Sequence, residues 1–310
     1  MIRFSLYLLL FICSYICFGQ TPNFESIDLK VSPLIEGTLL RPADQSQVPL
    51  VIIVQGSGPT DRNGNQPMME NNSLKMLAEA LKEHGIASYR YDKRIVPMIK
   101  NRTLNEASLS FDDFVQDASD ALNYFKRSDA FSGYYLIGHS QGGLIVTVVA
   151  QEGVDGVISI AGAGQSIDAV IVDQLERQAP GLAENAQAAF NDLRETGEAK
   201  KFSPGLVSIF RPPIQPFMRS WMLYDPKAEI AKVTAPVLII NGTKDLQVNE
   251  AEAAMLKEAN PAAQLEIIEG MNHILKNIEG SDAENGQSYN NPQLPLHAAL
   301  IGKIAAFIKN

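Results

Sequence analysis

One stretch of the sequence places a serine between two glycines at the spacing of turns that expose a nucleophile. The letters GHSQG occupy 138–142, after a short apolar segment at 134–137 and before an almost wholly apolar one. A tight turn from a strand into a helix strains the serine backbone and lifts its hydroxyl above the sheet. Gly138 and Gly142 are needed because a Cβ atom there would collide with the neighbouring chain. The pattern predicts that Ser140 is a nucleophile.

A serine nucleophile needs a general base, and the chain contains four histidines. His273 follows the last predicted strand in a glycine-bearing loop, and loops at the carboxyl ends of strands are where α/β sites are built. His84 ends a predicted helix, where it favours the helix dipole. The side chain of His139 should diverge from the adjacent Ser140 and serve packing, and His297 lies near the start of the last predicted helix. His273 is therefore the predicted general base.

The histidine in turn needs a carboxylate that orients it and stabilises its charged form. Asp245 follows the predicted strand at 237–240 and precedes His273 along the chain, which is the position such an acid requires. Glu250 and Glu252 are rivals, but they fall on the following predicted helix and are typical of a solvated face. We therefore predict Asp245 as the orienting acid.

The turn at the serine also supplies a donor for the charge that develops during acyl transfer. The backbone N–H of Gln141 would lie at a helix N-terminus and point towards the oxyanion. Such chemistry proceeds through a covalent intermediate on Ser140 and requires neither a metal nor an organic cofactor. Both cysteines, Cys13 and Cys17, lie in the N-terminal apolar segment, so no thiol chemistry or cysteine-ligated metal is expected in the rest of the chain.

Segments typical of strands alternate with segments typical of helices around these residues. This alternation predicts the α/β class, with a mostly parallel sheet covered by helices on both faces. The apolar run at 48–54 is typical of a strand buried on both faces. We expect the core to comprise 20–163 and 236–310, with a polar loop at 279–292.

The segment at 164–235 is longer than a strand-to-helix connection normally is, and we expect it to be a helical cap insertion over the site. Its first part, at 168–198, has the pattern of a helix. Its large apolar side chains could form an acyl or alcohol pocket, or the small core of the cap itself. They are Phe202, Phe210, Phe217, Met218, Trp221, Met222 and Tyr224.

Four segments of the sequence carry a family resemblance. They are GSGPTDRNGN at 56–65, RYDKR at 90–94, GHSQGG at 138–143 and the tail at 288–308. Together they resemble the α/β-hydrolase superfamily of serine hydrolases, and in particular bacterial esterases labelled dienelactone-hydrolase-like or serine-aminopeptidase-like. The resemblance extends over essentially all of the chain after the N-terminal segment. It implies an eight-stranded α/β-hydrolase fold and the chain order nucleophile, acid, histidine.

The resemblance also implies a second oxyanion donor. The letters QGSG at 55–58 stand where many relatives have His-Gly, and by this match the donor is the backbone N–H of Ser57. Gly56 would permit close approach of the backbone. Relatives commonly continue RYDKR with glycine, whereas this chain has IVP at 95–97, so we expect the loop there to have a different shape.

The charge balance limits the partners of the protein. A formal net charge of −9 without a basic cluster argues against nucleic acid, and an acidic surface repels anionic lipid headgroups. Asp61 and Arg62 have two interpretations: an ion pair that braces the loop, which we favour, or a contact from Arg62 to an anionic substrate. The expected partner is a small-molecule ester, and the sequence does not determine the oligomeric state.

The N-terminus has the pattern of a signal peptide. Arg3 precedes an apolar run at 4–18, and small residues precede Gln20, which predicts a signal peptide over 1–19 and a secreted or periplasmic protein. The apolar run is shorter than the roughly 20 residues of a membrane span. No stable membrane insertion is expected after cleavage, and an uncleaved N-terminal anchor is the alternative.

These observations predict a serine hydrolase. Carboxylesterase activity is favoured because the alkoxide of an ester is an easy leaving group for such a site. A peptidase or aminopeptidase is the nearest alternative and would need a cap carboxylate such as Asp173, Glu176 or Glu184. A thioesterase would use the same triad. A hydrolase-like binding protein without turnover is the alternative from a different class.

Overall fold

The computed structural model describes residues 24–43 and 47–310. The predicted signal peptide over 1–19 and both cysteines lie outside the described residues. No helix in this described part is long and apolar enough to cross a membrane.

The centre of the fold is an eight-stranded, mostly parallel sheet, which confirms the predicted fold class. The strands are β1 (Phe24–Ser32), β2 (Ile35–Pro42), β3 (Leu50–Val54), β4 (Ala87–Tyr91), β5 (Tyr134–His139), β6 (Gly156–Ile160), β7 (Val237–Gly242) and β8 (Gln264–Ile268). Their order across the sheet is β1-β2-β4-β3-β5-β6-β7-β8. β1 and β2 form an antiparallel hairpin and β2 is antiparallel to β4, whereas the pairs from β4 to β8 are parallel. The carboxyl ends of the parallel strands therefore share one edge.

Helices cover both faces of this sheet. They are α1 (Ser73–Glu83), α2 (Ile95–Lys100), α3 (Phe111–Lys126), α4 (Gln141–Val149), α5 (Ile167–Gln178), α6 (Pro180–Thr196), α7 (Val207–Phe210), α8 (Gln215–Trp221), α9 (Pro226–Ile230), α10 (Glu250–Ala259), α11 (Asp282–Ser288) and α12 (Ala298–Lys309). α3 begins with a capping box, in which Ser110 and Asp113 exchange hydrogen bonds.

Strand β3 shows why both faces must be covered. Leu50, Ile52 and Val54 belong to one apolar cluster, which also contains side chains of α3 and α4. Val51 and Ile53 alternate with them and belong to a second cluster, with α1 and α12. All five side chains are 2% exposed or less. Burying each such side chain stabilises the fold by about 1.5–3 kcal/mol.

The segment at 164–235 connects β6 to β7 and contains α5 to α9. The helical pattern at 168–198 is confirmed, and the chain forms two helices there, with a break between α5 and α6 before Pro180. Proline lacks an N–H and clashes with the preceding turn, so it begins a helix rather than continuing one. Phe190 and Phe210 contribute to a separate small core within this segment.

The aromatic side chains of that segment divide between two roles. Phe210 and Met218 are buried in the segment's own core. The Trp221 ring instead stacks on Phe111 of the main core, with 5.6 Å between ring centroids. Phe217 meets Phe114 edge to face at the same distance. Trp221 and Phe217 therefore fasten the inserted segment to α3.

The expected polar loop at 279–292 is partly wrong, since it contains α11. Asn272 donates hydrogen bonds to Asn285 (2.8 Å) and to Ser288 (2.9 Å), and these contacts join α11 to the loop after β8. The composition of this helix is polar, so its stability comes from tertiary contacts rather than from an apolar face.

The segment after β4 forms the short helix α2. Arg94 precedes it and holds Asp117 of α3 through two hydrogen bonds of 2.7 and 2.8 Å. This ion pair fixes the start of α2 against the main core.

Candidate active site

Ser140 lies on the turn between β5 and α4, at the shared carboxyl edge of the sheet. Its φ of 53° and ψ of −119° are strained for a residue with a side chain. A Cβ atom on Gly138 would lie 2.1 Å from the Gly142 carbonyl oxygen, and one on Gly142 would lie 2.3 Å from that of Val54. The turn therefore requires both glycines for the steric reason that the sequence predicted.

Asp245 and His273 are brought together from the ends of β7 and β8. The His273 Nδ1–H donates to Asp245 Oδ2 at 2.8 Å, and both side chains are buried. The other carboxylate oxygen accepts the backbone N–H groups of Gln247 (2.8 Å) and Val248 (2.9 Å). A carboxylate held on both oxygens fixes the imidazole with its proton on Nδ1. Nε2 is then left to accept a proton.

Ser140 and His273 line one cavity of about 260 Å³. We call it the polar cavity, since most of its side chains are polar: its lining includes Thr60, Gln66, Ser73, Gln247 and Tyr289, beside the apolar Met69, Leu74 and Ile274. Within the described chain, the Ser140 hydroxyl makes no hydrogen bond to His273. The structure thus places the two side chains at one site and leaves the contact between them open.

His139 has a more specific role than the packing role that we expected. Its Nε2–H donates to the backbone carbonyl of His273 at 2.7 Å, and the two rings lie 4.8 Å apart. Burial lowers the pKa of His139 to about 4, so its ring is neutral near pH 7. A neutral ring with its proton on Nε2 can hold the His273 loop without adding charge to the site. Nothing in the sequence pattern indicated this contact.

Ser57 and Gln141, the two predicted oxyanion donors, both adjoin Ser140: Gln141 follows it in the chain, and a Cβ atom on Gly56, next to Ser57, would lie 3.2 Å from the Ser140 Cβ. Both line a second cavity with Ser140. Their backbone N–H groups make no hydrogen bond within the part of the chain that the structure describes. Two unpaired N–H groups next to a nucleophile are the arrangement that stabilises a developing oxyanion.

Lys93 lies buried behind these two residues, and the sequence pattern did not predict a role for it. Its Nζ donates to the Gly56 carbonyl at 2.7 Å and to the side-chain oxygen of Gln141. It also lies over the Phe114 ring, 4.7 Å from the ring centroid. Burial lowers the pKa of Lys93 to about 7, although the charge of Asp117 opposes that shift.

The expected ion pair between Asp61 and Arg62 is wrong. Arg62 binds Asp92 at 2.6 Å and also contacts Asp28 and Glu36. Asp61 instead accepts hydrogen bonds from backbone N–H groups of its own loop. The two side chains brace the loop through separate partners. Arg62 lines neither of the two cavities at Ser140.

The second cavity at Ser140 measures about 420 Å³ and is bounded largely by the inserted segment. We call it the apolar cavity, since its lining includes Ile167, Val170, Ile171, Leu175, Ile209, Phe217 and Trp221. No charged residue of the described chain lines it. Asp173, Glu176 and Glu184 are absent from its wall, and Asp173 accepts a hydrogen bond from Gln165 instead.

Metal ligation has no candidate among residues 24–43 and 47–310. No group of three or more histidine, cysteine, aspartate or glutamate side chains there could hold a metal ion. The acid and the base that the site holds at hydrogen-bond distance are Asp245 and His273. The chemistry available to this arrangement is acid–base catalysis with a hydroxyl nucleophile.

Comparisons with known proteins agree with this architecture. The esterase EstD of Thermotoga maritima is 29% identical over 264 residues, which cover 83% of this chain and 62% of EstD. The chain thus spans less than two thirds of that relative. Est1E from Butyrivibrio proteoclasticus has a similar structure, with a TM-score of 0.56, 18% identity and coverage of 93% of this chain and 100% of that one. The dienelactone hydrolase from Anabaena variabilis also has a similar structure, with a TM-score of 0.53 and 16% identity. The match covers 93% of this chain and 98% of that one.

The family itself follows from the sequence match. The model described as the alpha/beta hydrolase family matches residues 77–282, which include Ser140, Asp245 and His273. This match covers more than half of the chain and spans the strands that carry all three residues. The protein is therefore a member of the alpha/beta hydrolase family.

Proposed function

We propose that this protein is a carboxylesterase that acts through an acyl-enzyme on Ser140. The observation that carries the proposal is the position of Ser140 on a strained turn, at a cavity that is also lined by His273, whose ring is bound to Asp245. The similarity to a relative named as an esterase supports the same activity. The substrate is a small-molecule ester.

The proposed mechanism has two half-reactions. His273 takes the Ser140 proton as the hydroxyl attacks the ester carbonyl, and Asp245 stabilises the charged imidazole. The N–H groups of Ser57 and Gln141 stabilise the tetrahedral oxyanion. His273 then protonates the leaving alcohol, and water activated by the same ring releases the acid. Substrate binding must close the open contact between Ser140 and His273, as is common for catalytic hydrogen bonds.

An ester fits this site better than a peptide with a free amino terminus. We propose that the inserted segment at 164–235 is a cap that binds the substrate, and an aminopeptidase would need a carboxylate there to hold the ammonium group. No such carboxylate lines the apolar cavity within the described chain. A thioester would fit the same cavity and differs only in its leaving group.

Side-by-side assays test the proposed activity. We expect turnover of p-nitrophenyl acetate and butyrate, and much slower turnover of aminoacyl p-nitroanilides. Ser140→Ala should lower kcat by about 10⁴-fold or more, since loss of a nucleophile usually costs this much. Ser132→Ala is the matched control, because that serine is exposed and its side chain makes no contact with the site.

Two results would reject this activity. Turnover of the anilides alone would identify a peptidase. Folded protein that hydrolyses none of these substrates and binds them unchanged would identify a binding protein without catalysis.

We also propose that the protein is exported, because of the pattern over 1–19. The protein recovered from the periplasm or medium of the expressing cell should begin at Gln20, as read by N-terminal mass spectrometry. An intact N-terminus in the membrane fraction would instead identify an uncleaved anchor.

A further inference from the structure

Ser140 lines two cavities that differ in their lining, and only one of them contains the base. Ser57, Ser140 and Gln247 line both cavities. His273 lines the polar cavity and not the apolar one, whereas Gln141 lines only the apolar cavity. An ester bound at Ser140 must therefore direct its two halves into different surroundings.

The chemistry decides which half goes where, provided that the proposed function holds. The group that His273 protonates is the leaving oxygen of the alcohol, so this oxygen must lie on the His273 side of Ser140. The alcohol then occupies the polar cavity. The acyl chain extends the other way, into the apolar cavity beneath the inserted segment.

The polar cavity offers hydrogen-bonding groups that the protein itself leaves unused. The Tyr289 hydroxyl accepts a hydrogen bond from Gln247 at 2.9 Å and keeps its own hydrogen free to donate. The Gln66 amide nitrogen donates to Ser57 and Thr60, so its oxygen is free to accept. The Ser73 hydroxyl makes no hydrogen bond within the described residues.

These groups are neutral, and the lining contains no aspartate, glutamate, lysine or arginine. Burial raises the pKa of Tyr289 to about 12, so its hydroxyl stays protonated near pH 7. A charged alcohol would find no counter-ion here, and an alkyl alcohol would leave polar groups without partners, which is costly. A neutral alcohol with several hydroxyl groups matches the cavity.

We propose that the polar cavity is the binding site for the alcohol half of the ester and selects neutral polyhydroxy alcohols, such as a glycerol or sugar unit. The preferred substrates are then polyol esters of apolar, uncharged carboxylic acids.

A matched pair of substrates tests this site. The 2,3-dihydroxypropyl and n-propyl esters of hexanoic acid share an acyl group and a carbon count and differ only in two hydroxyl groups. The kcat/KM of each ester is first divided by its rate of hydroxide-catalysed hydrolysis. We expect this corrected kcat/KM to be about ten-fold or more higher for the dihydroxypropyl ester, which corresponds to one or two hydrogen bonds.

Two variants locate that preference. Tyr289→Phe and Ser73→Ala should each lower the preference ratio by about three- to ten-fold. Tyr124→Phe is the matched control, since it removes a tyrosine hydroxyl on α3 that lies outside both cavities. Its ratio should equal that of the wild type.

The outcomes separate this inference from the proposed function. Equal corrected rates for the two esters, or a ratio that Tyr289→Phe and Ser73→Ala leave unchanged, would overturn the polyol site while esterase activity stands. Failure to hydrolyse either ester, together with no turnover of p-nitrophenyl acetate or butyrate, would reject the esterase itself.

A second inference rests on a different observation, the buried side chain of Lys93. Its Nζ binds the Gly56 carbonyl, which belongs to the same peptide group as the Ser57 N–H. It also binds the side chain of Gln141. One ammonium group thus contacts both residues whose N–H groups would form the oxyanion hole.

The geometry assigns Lys93 as the positioning residue of the oxyanion hole. In its protonated form, which prevails below about pH 7, Lys93 donates a charged hydrogen bond to the Gly56 carbonyl, which polarises the peptide and makes the Ser57 N–H a stronger donor. The same contact fixes the loop, so that the donor is in place before charge develops on the substrate. Lys93 itself does not touch the reacting atoms.

The test separates transition-state stabilisation from folding. Lys93→Met should lower kcat about ten- to hundred-fold with KM within about two-fold, less than the loss of a direct oxyanion donor. Affinity for an alkyl trifluoromethyl ketone, which forms an oxyanion on Ser140, should fall in parallel. Affinity for the matching methyl ketone, which stays uncharged, should hold. Lys309→Met, at an exposed position, is the control.

Lys93→Gln provides a second variant, since its amide can still donate to Gly56 without a charge. We expect its kcat to lie between those of the wild type and Lys93→Met. Wild-type kcat in Lys93→Met, or equal losses of affinity for both ketones, would overturn the assignment.

Discussion

Asp245 is held so firmly that its chemistry can be changed with little movement of its side chain. Two backbone N–H groups bind one carboxylate oxygen and His273 binds the other. The backbone contacts persist for any side chain that offers an oxygen in the same place. The atom of residue 245 that faces His273 Nδ1 is oxygen in aspartate and can be nitrogen in asparagine. This atom then decides which nitrogen of His273 carries the proton.

Asp245→Asn should therefore preserve the fold and remove most of the activity. The amide nitrogen would donate to His273 Nδ1 and force the proton onto Nε2, where it blocks the uptake of the serine proton. We expect kcat for p-nitrophenyl butyrate to fall about 10⁴-fold. Asp129→Asn, at an exposed position, serves as the control. A variant with more than a tenth of wild-type kcat would show that Asp245 does not orient the base.

Single residues differ in how well the sequence predicts them. Ser140, Asp245 and His273 could be placed because each follows a strand in a recognisable pattern. The contacts of Lys93 and His139 could not be predicted from the sequence. They join segments far apart in the chain and depend on which side chains meet after folding.

The turn between β5 and α4 depends on how closely two elements approach. The Gly142 backbone lies against the carbonyl of Val54 at the end of β3, and a Cβ atom there has no space to move. This approach brings the start of α4 against the loop that follows β3. Glycine is unfavourable in a helix, so helix propensity does not explain its presence at position 142. The close steric contact between the two elements explains it.

Gly142→Ala should destabilise the fold severely, by about 4 kcal/mol or more, because its Cβ atom would overlap backbone. Gly302→Ala is the matched control, since it lies in α12 with open space around its Cβ position. That variant should stabilise the protein by about 0.5–1 kcal/mol, the usual gain of alanine over glycine in a helix. Urea denaturation measures both. Equal midpoints for the two variants would contradict the described turn.

Elements were predictable where apolar periodicity defined them and less so elsewhere. α1, α3 and α4 follow from their sequence patterns. α11 was missed because its residues are polar, and Asn272 stabilises it from another part of the chain. The break between α5 and α6 could have been predicted from Pro180, which interrupts an otherwise helical pattern.

At the scale of the molecule, the parallel sheet determines where chemistry can occur. Ser57, Lys93, Ser140, Asp245 and His273 each follow the carboxyl end of a strand: β3, β4, β5, β7 and β8. Because these strands are parallel, residues distant in the chain meet at one edge of the sheet. The α/β topology was predictable from alternating segments, and this convergence followed from it. The shapes of the two cavities were not, since they depend on the inserted segment.

Burial of Lys93 also makes the stability of the whole molecule depend on pH. Its pKa is about 7 when folded and higher when unfolded, near its ordinary value. Between these two values the unfolded state binds more protons, so the free energy of unfolding rises with pH. Below about pH 7 both states are protonated and the full cost of burying the charge is present.

Wild type should therefore gain stability relative to Lys93→Met as pH rises from about 7 to 9, by at most about 1.4 kcal/mol per pH unit. Lys276, whose pKa burial lowers to about 8, is present in both proteins and cancels in the difference. Urea denaturation at pH 6, 7.5 and 9 measures the difference in the free energy of unfolding between wild type and Lys93→Met. A difference that stays constant over this range would mean that Lys93 keeps an ordinary pKa in the fold.

The central claim is that Ser140 is activated by His273, and covalent labelling tests it most directly. A fluorophosphonate reacts with a serine only when an adjacent base takes its proton. We predict one adduct per chain, located by peptide mass spectrometry on Ser140, with labelling lost in Ser140→Ala and greatly slowed in folded His273→Ala. Undiminished labelling of either variant, or folded wild type without an adduct, would contradict the account.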